Sequence, residues 1–353
     1  LALPLVVYNA AMRFGTFVLQ VSPDPAKDSQ VIDQTLREAE LADTLGFDVV
    51  WLTEHYFAGD TVYADPVVFG AAVAARTKRI TIGFAVVQMA FHHPVKLAAQ
   101  TALLDNLSHG RLIVGTGRGS AYNAYEYMGF GVSMEEGRQR LAEAEDLLLR
   151  SWTGEDVDYQ GKYWQVKFPL MRPRPFQKPH PPLVRACLGR DSMFEMAKIG
   201  RPVLMGVETP EEFKFRLDTY RDIMLSSGFS EEAAEGALDE TWARKSLYVA
   251  DSDAEAQEAL PHFMAERRHI REAREKHNPK DYPEAIPAPP QGASDPSKFL
   301  IVGSPRTVAE KIAELKDAGV RNMLLGMTPG EMPRDRVAKS MRLFAERVMP
   351  RFR

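Results

Sequence analysis

The sequence predicts an α/β fold, a TIM (β/α)8 barrel with insertions, on three observations. Short β-type runs alternate with helical patterns along the chain. Eight of these runs are apolar enough to be buried on both faces, as parallel strands must be. No glycine fingerprint follows the first run, which weakens the alternative of a doubly wound sheet with an extra domain.

In chain order, residues 13–19 read as the first strand. Residues 29–45 read as a helix with Val31, Ile32, Leu36, Ala39 and Leu41 at helical spacing and Gly46 as its stop. Strand 47–52, helix 66–76, strand 79–87, helix 94–107 and strand 112–115 follow. Strands resume at 183–188, 203–206, 246–249 and 322–325, with helices at 193–199, 211–227, 253–269 and 307–318. Two interruptions break the period. Residues 120–182 carry a helix at 134–152, a hairpin-like 158–164 and a proline-rich 169–182. Residues 273–298 are charged and then rich in Pro, Ala and Gly, which predicts a mobile lid before the last strand. Residues 12–353 are read as one domain and 1–11 as an N-terminal extension.

A chain of 353 residues, 45% hydrophobic and 26% charged, can bury a full core. Its net charge of -4 gives no argument for nucleic acid. The single cysteine, Cys187, rules out an intramolecular disulfide framework and a cysteine-built metal cluster, fits a reducing cytoplasm, and reads as a small buried hydrophobe. The apolar start lacks the basic flank and length of a signal peptide, and no run approaches the ~20 apolar residues of a membrane span. A cytoplasmic protein that does not enter membranes is expected.

Barrel active sites are built where strands end, so the residues after each run are the candidates. Glu54-His55 follows strand 47–52. A histidine there exchanges a proton near neutral pH, and a neighbouring carboxylate tunes or orients it, although a lone histidine after a strand is more often a hydrogen-bonded structural residue. Arg118 stands between Gly117 and Gly119, where a planar fork of donors meets a phosphate and the glycines let the backbone approach; a solvated surface charge is the bland alternative. Gly189-Arg190-Asp191-Ser192 opens a helix, so its N–H groups suit an anion as well as a simple cap, and Arg190 adds a further polar contact. Ala85-Val86, at the end of the third strand, shows two small or β-branched residues and nothing more. His92 and His93 lack spaced partners for a metal, and His93-Pro94 reads as a helix start, so no metal is expected. Tyr122, Tyr125 and Tyr127 follow the Arg118 loop, lining the mouth or packing.

Three stretches, Trp51-Leu52-Thr53-Glu54-His55-Tyr56-Phe57, the run from His93 to Gly119, and Gly303-Ser304-Pro305-Arg306-Thr307-Val308, together resemble the bacterial luciferase-like flavin monooxygenases. The resemblance implies that reduced FMN, supplied by a separate NAD(P)H:flavin reductase, reacts with oxygen to give a C4a-(hydro)peroxide. That species oxygenates a small organic substrate such as an aldehyde or ketone. It also implies that His55 serves the flavin chemistry, that Arg118 contacts the flavin phosphate with the 189–192 turn, and that Ala85-Val86 is joined by a cis peptide beneath the flavin ring. Pairing of barrels as a homodimer through helices 66–76 and 94–107 follows from the same likeness. The light-emitting α subunit carries a reactive cysteine where Gly117 stands, so light emission is not expected. It has Glu-Ser at Leu188 and Gly189 and Thr at Ser192, so here only Ser192 keeps a hydroxyl. An F420-dependent oxidoreductase on the same fold and a non-catalytic flavin-binding protein are the alternatives.

Overall fold

The computed structural model describes residues 11–19, 21–22, 24–58, 62–120, 122–280 and 296–353. Eight parallel strands close a barrel: β1 Arg13–Val18, β2 Val49–Leu52, β3 Thr81–Phe84, β4 Leu112–Gly117, β5 Leu183–Cys187, β6 Val203–Met205, β7 Trp242–Val249 and β8 Asn322–Gly326. Each pairs with the next, and β8 returns to β1 with Arg13 opposite Asn322 and Phe17 opposite Gly326. The expected TIM barrel is therefore the fold, with helices packed around the strands.

Several boundaries differ from expectation for physical reasons. β7 starts at Trp242, and its first half closes the barrel against β6 and β8, while Ser246–Val249 pairs with an additional strand, Leu300–Gly303. Arg244 and Lys245 interrupt the apolar run, so the sequence pattern shows only the second half. β3 stops at Phe84; the Ala85-Val86 peptide is cis, and Val87–Gln88 then pairs with β4. The 253–269 helix is two helices, Asp253–Gln257 and Leu260–His277, with Pro261 in the first turn of the second. That second helix runs through 273–277 of the expected lid, and 281–295 of the lid lie outside the described residues, as do 1–10 of the expected extension. A helix Arg334–Arg347, absent from the expected elements, follows β8 and buries Val337, Met341 and Phe344 at helical spacing. The insertion holds the helix Met134–Thr153, N-capped by Ser133, and an antiparallel pair, Val157–Gln160 with Gln165–Phe168.

Side chains alternate along the strands, so every second residue fills the barrel. The cluster that fills its middle is Val49, Trp51, Ile113, Val184, Leu204, Trp242 and Leu324. Trp51 lies across Gly15 and Gly83, where an added Cβ would run into the indole, and meets Trp242 edge-on with ring centroids 5.1 Å apart. One layer up, toward the strand ends, alternation brings in Ala85, Gly117, Ala186 and Gly326 together with Phe17 and Arg244. Small residues there leave the C-terminal mouth open above the tryptophans. Among the described residues no helix is long and apolar enough to cross a membrane, and no cluster of His, Cys, Asp and Glu suits a metal ion.

Candidate active site

β2 ends at Leu52, and the chain runs on through Thr53, Glu54 and His55, where the two titratable side chains find different partners. The Glu54 carboxylate is buried, its Oε1 meeting His92 Nε2 at 2.7 Å and accepting from the Tyr56 hydroxyl, its Oε2 accepting from the Gln88 N–H at 2.5 Å. The Glu54 carbonyl also accepts from Gln88 Nε2 at 2.7 Å. Burial opposes protonation of His92, but the hydrogen bond and charge of Glu54, with Asp65, outweigh it and raise the imidazole above its ordinary pKa. The Tyr56 hydroxyl is pushed up by burial and then by Glu54. Glu54 thus ties the end of β2 to the 87–92 segment and does not touch His55, in contrast to the expectation that this neighbour orients the histidine.

The carboxylate that does hold His55 belongs to Glu126, fully buried on the short helix Ala124–Gly129. Its Oε1 lies 3.0 Å from His55 Nδ1 and accepts the Tyr56 backbone N–H at 2.9 Å. A carboxylate can only accept, so the geometry assigns the His55 proton to Nδ1 and leaves Nε2 without a protein partner among the described residues. The Glu126 Oε2 is buried and has no hydrogen-bond partner among the described residues. Asn123 Nδ2 stands 3.5 Å from the same His55 nitrogen, and Asn123 Oδ1 accepts from Arg274 Nε at 2.9 Å. Arg274 also covers the Tyr122 ring, and Asn278 donates to the Tyr122 carbonyl at 2.8 Å. The helix Leu260–His277 is thereby docked on the segment that positions His55. Sequence reasoning missed Glu126, Asn123 and Arg274, and weighed His92 only as a metal ligand. A contact between residues 71 apart, as in the His55–Glu126 pair, leaves no local pattern to find.

On the β3–β5 side, Val86 fills the space in front of Gly117, where an added Cβ would sit 2.7 Å from Val86 Cγ2. Gly119 has φ of 105°, and an added Cβ there would be 2.8 Å from the Tyr127 hydroxyl. That hydroxyl donates to the Arg118 carbonyl at 2.8 Å, which fixes the backbone of Arg118, while the Arg118 guanidinium has no hydrogen bond or ion pair with any described residue. β5 ends at the buried Cys187, whose thiol is pushed up to about 11 by burial. Gly189 then begins the helix Arg190–Ala197 and, as a glycine, offers no side chain to cap its first N–H groups, while the Ser192 hydroxyl donates back to the Gly189 carbonyl at 2.9 Å. Arg190 does not join this turn. Its guanidinium binds Glu212, with Nε 2.8 Å from Oε1, and stacks 4.5 Å over the Phe215 ring. The Arg190 hydrogen bond heads the effects that lower Glu212 to about 2. A free guanidinium at Arg118, an uncapped helix start at Gly189 and small residues at the mouth are what a flat, phosphate-bearing cofactor needs, so these residues could hold a flavin mononucleotide.

The model of the luciferase-like monooxygenase family matches residues 12–322. The oxygenase component of the flavin-dependent trigonelline monooxygenase of Acinetobacter baylyi is 30% identical over 258 residues, 70% of this chain and 68% of that protein. The crystal structure of the monooxygenase RslO1 from Streptomyces bottropensis is 32% identical, with a TM-score of 0.82 over 97% of this chain and 100% of that one. Likeness of fold alone extends to two further structures. The oxygenating constituent of 3,6-diketocamphane monooxygenase of Pseudomonas putida, in complex with FMN, gives a TM-score of 0.77 at 19% identity over 98% and 99% of the two chains. The coenzyme F420-dependent tetrahydromethanopterin reductase of Methanopyrus kandleri gives 0.72 at 22% identity over 98% and 100%. With its barrel, its strand-end motifs and a family match across most of its length, the chain belongs to the luciferase-like monooxygenase family.

Proposed function

We propose that this protein is the oxygenase of a two-component system, taking reduced FMN from a separate NAD(P)H:flavin reductase and using molecular oxygen to oxygenate a small organic substrate. The observation that carries this reading is the pairing, at one mouth, of the unpartnered Arg118 guanidinium with a His55 held through Nδ1 by Glu126. When bound, reduced FMN supplies the electrons that activate oxygen. Arg118 and the N–H groups at the start of the helix Arg190–Ala197 would bind its phosphate by charge-assisted hydrogen bonds, and Ala85 and Val86 would support its ring. His55 Nε2 would give or take the proton of the reaction, with Glu126 stabilising the imidazolium form. The helix Leu260–His277, docked on Tyr122 and Asn123, would keep water from that side of the mouth.

FMN is favoured over F420 because the 30% identical relative is the oxygenase component of a flavin-dependent monooxygenase, whereas the F420-dependent likeness is one of fold. Dependence on an NAD(P)H-driven reductase points to the cytoplasm. A homodimer is part of the same proposal: Val68 on helix Pro66–Arg76 and Leu103 and Leu107 on helix Pro94–Leu107 stay 66%, 49% and 53% exposed on two adjoining helices. A monomer by light scattering at micromolar concentration would refute that part. Anaerobic titration with reduced FMN and with reduced F420, followed by oxygen, tests the cofactor. Saturable binding of reduced FMN and its oxidation on adding oxygen are expected; binding of reduced F420 without a response to reduced FMN overturns the proposal.

A further inference from the structure

The mouth has a second wall, made by β7 and the helix Leu260–His277, that the flavin reading does not use. Along β7, Trp242 fills the barrel, so Arg244 two residues on shares its inward face while Lys245 turns outward. The Arg244 guanidinium lies 4.5 Å over the ring of Phe17, the inward residue near the end of β1. It is exposed to solvent at the mouth, and the protein packed around it holds its pKa down. No described residue hydrogen-bonds it or pairs with it. The charges that face it come from the covering helix: Glu266, Arg267 and, beyond them, His269. Burial pushes the Glu266 carboxyl up, while the charge of Arg244 works against that shift, and no hydrogen bond joins the two side chains. Arg267 is itself cationic and stacks 4.0 Å over Phe299. A guanidinium at the mouth, with five donors and no acceptor among the described residues, is open to a ligand.

We propose that Arg244 anchors the substrate and that the substrate is a small organic acid, its carboxylate on the guanidinium fork and its apolar body against Phe17. The proposal rests on the reading that flavin occupies the Arg118 side of the same mouth, and it narrows the substrate from organic molecules in general to carboxylates. The carboxylate would give the guanidinium two parallel hydrogen bonds that no described residue provides, which a lysine cannot reproduce.

Three acids, benzoate, phenylacetate and hexanoate, each against its own amide, serve as probes in calorimetric titrations of the flavin-free protein. Wild type, Arg244→Gln and Arg244→Lys are compared, with FMN affinity measured separately by fluorescence quenching. At least one acid is expected to bind wild type about tenfold or more tighter than its amide, as a charge-assisted pair provides. Arg244→Gln should erase that preference, Arg244→Lys should keep part of it, and both variants should bind FMN as wild type does. No acid preference in any pair, or a preference that survives Arg244→Gln, overturns the proposal. So does a loss of FMN affinity in Arg244→Gln, which would make Arg244 part of the flavin site. Failure of wild type to bind FMN, oxidised or reduced, would instead strike the cofactor reading, which the flavin-free titrations do not involve.

Discussion

Two buried carboxylates flank the same stretch of chain, and they are used in opposite ways. Glu54 sits in a closed cage in which Tyr56, His92 and the Gln88 backbone occupy both its oxygens. Glu126 sits in a half-used site, one oxygen shared by His55 and the Tyr56 backbone and the other buried without a hydrogen-bond partner among the described residues. The residue next to His55 in the chain is the one that holds the barrel mouth together, and the distant one orients the histidine. Proximity in sequence did not decide which carboxylate meets the histidine.

The widest separation between the two sites should come from Glu54→Ala, which strips three groups of a buried acceptor. A loss of about 3–5 kcal/mol of stability in urea denaturation is expected; a loss below about 1 kcal/mol would show that the cage is not structural. His55→Ala acts on the other site. It should lower product yield roughly a hundredfold, with the oxygen appearing as hydrogen peroxide and reduced FMN affinity changed only a few-fold. Stopped-flow and product analysis that match wild type would remove the proton-handling role.

A smaller contrast lies between two arginines. Arg118→Ala should weaken reduced FMN binding by about 1.5–3 kcal/mol. Arg190→Ala should change it by less than about twofold, because Glu212 already occupies that guanidinium. Anaerobic titrations in which Arg190→Ala has the larger effect would reverse the assignment.

The smallest effect is tied to pH. His92 has a raised pKa in the folded protein, so its stabilising pairing with Glu54 is complete below about 6.5, the unfolded value, and fades as pH rises through the higher folded value. The stability gap between wild type and His92→Gln should be about 1.5 kcal/mol in mild acid and shrink above neutrality. A gap that grows with pH in denaturation curves would mean that the sign is wrong.

The fold was legible because apolar runs buried on both faces are the mark of parallel strands, and it blurred where charge entered them. Arg244 and Lys245 hid the first half of β7, and the many charged residues of Arg334–Arg347 obscured a helix whose buried residues keep ordinary helical spacing. In the site, His55 and Arg118 were legible because they follow a strand and, for Arg118, stand between glycines. Glu126 was not, because it rides on a six-residue helix inside an insertion. Arg190 looked available in sequence, since nothing local reveals that Glu212, on the next helix, takes its guanidinium.

The assignment of Glu126 rather than Glu54 as the partner of His55 is tested most directly by nitrogen NMR of the His55 ring in mildly alkaline solution, where the neutral imidazole is read. Wild type and Glu54→Gln should both carry the ring proton on Nδ1, and Glu126→Leu should release it to Nε2. A ring proton that moves in Glu54→Gln and stays on Nδ1 in Glu126→Leu would contradict the account.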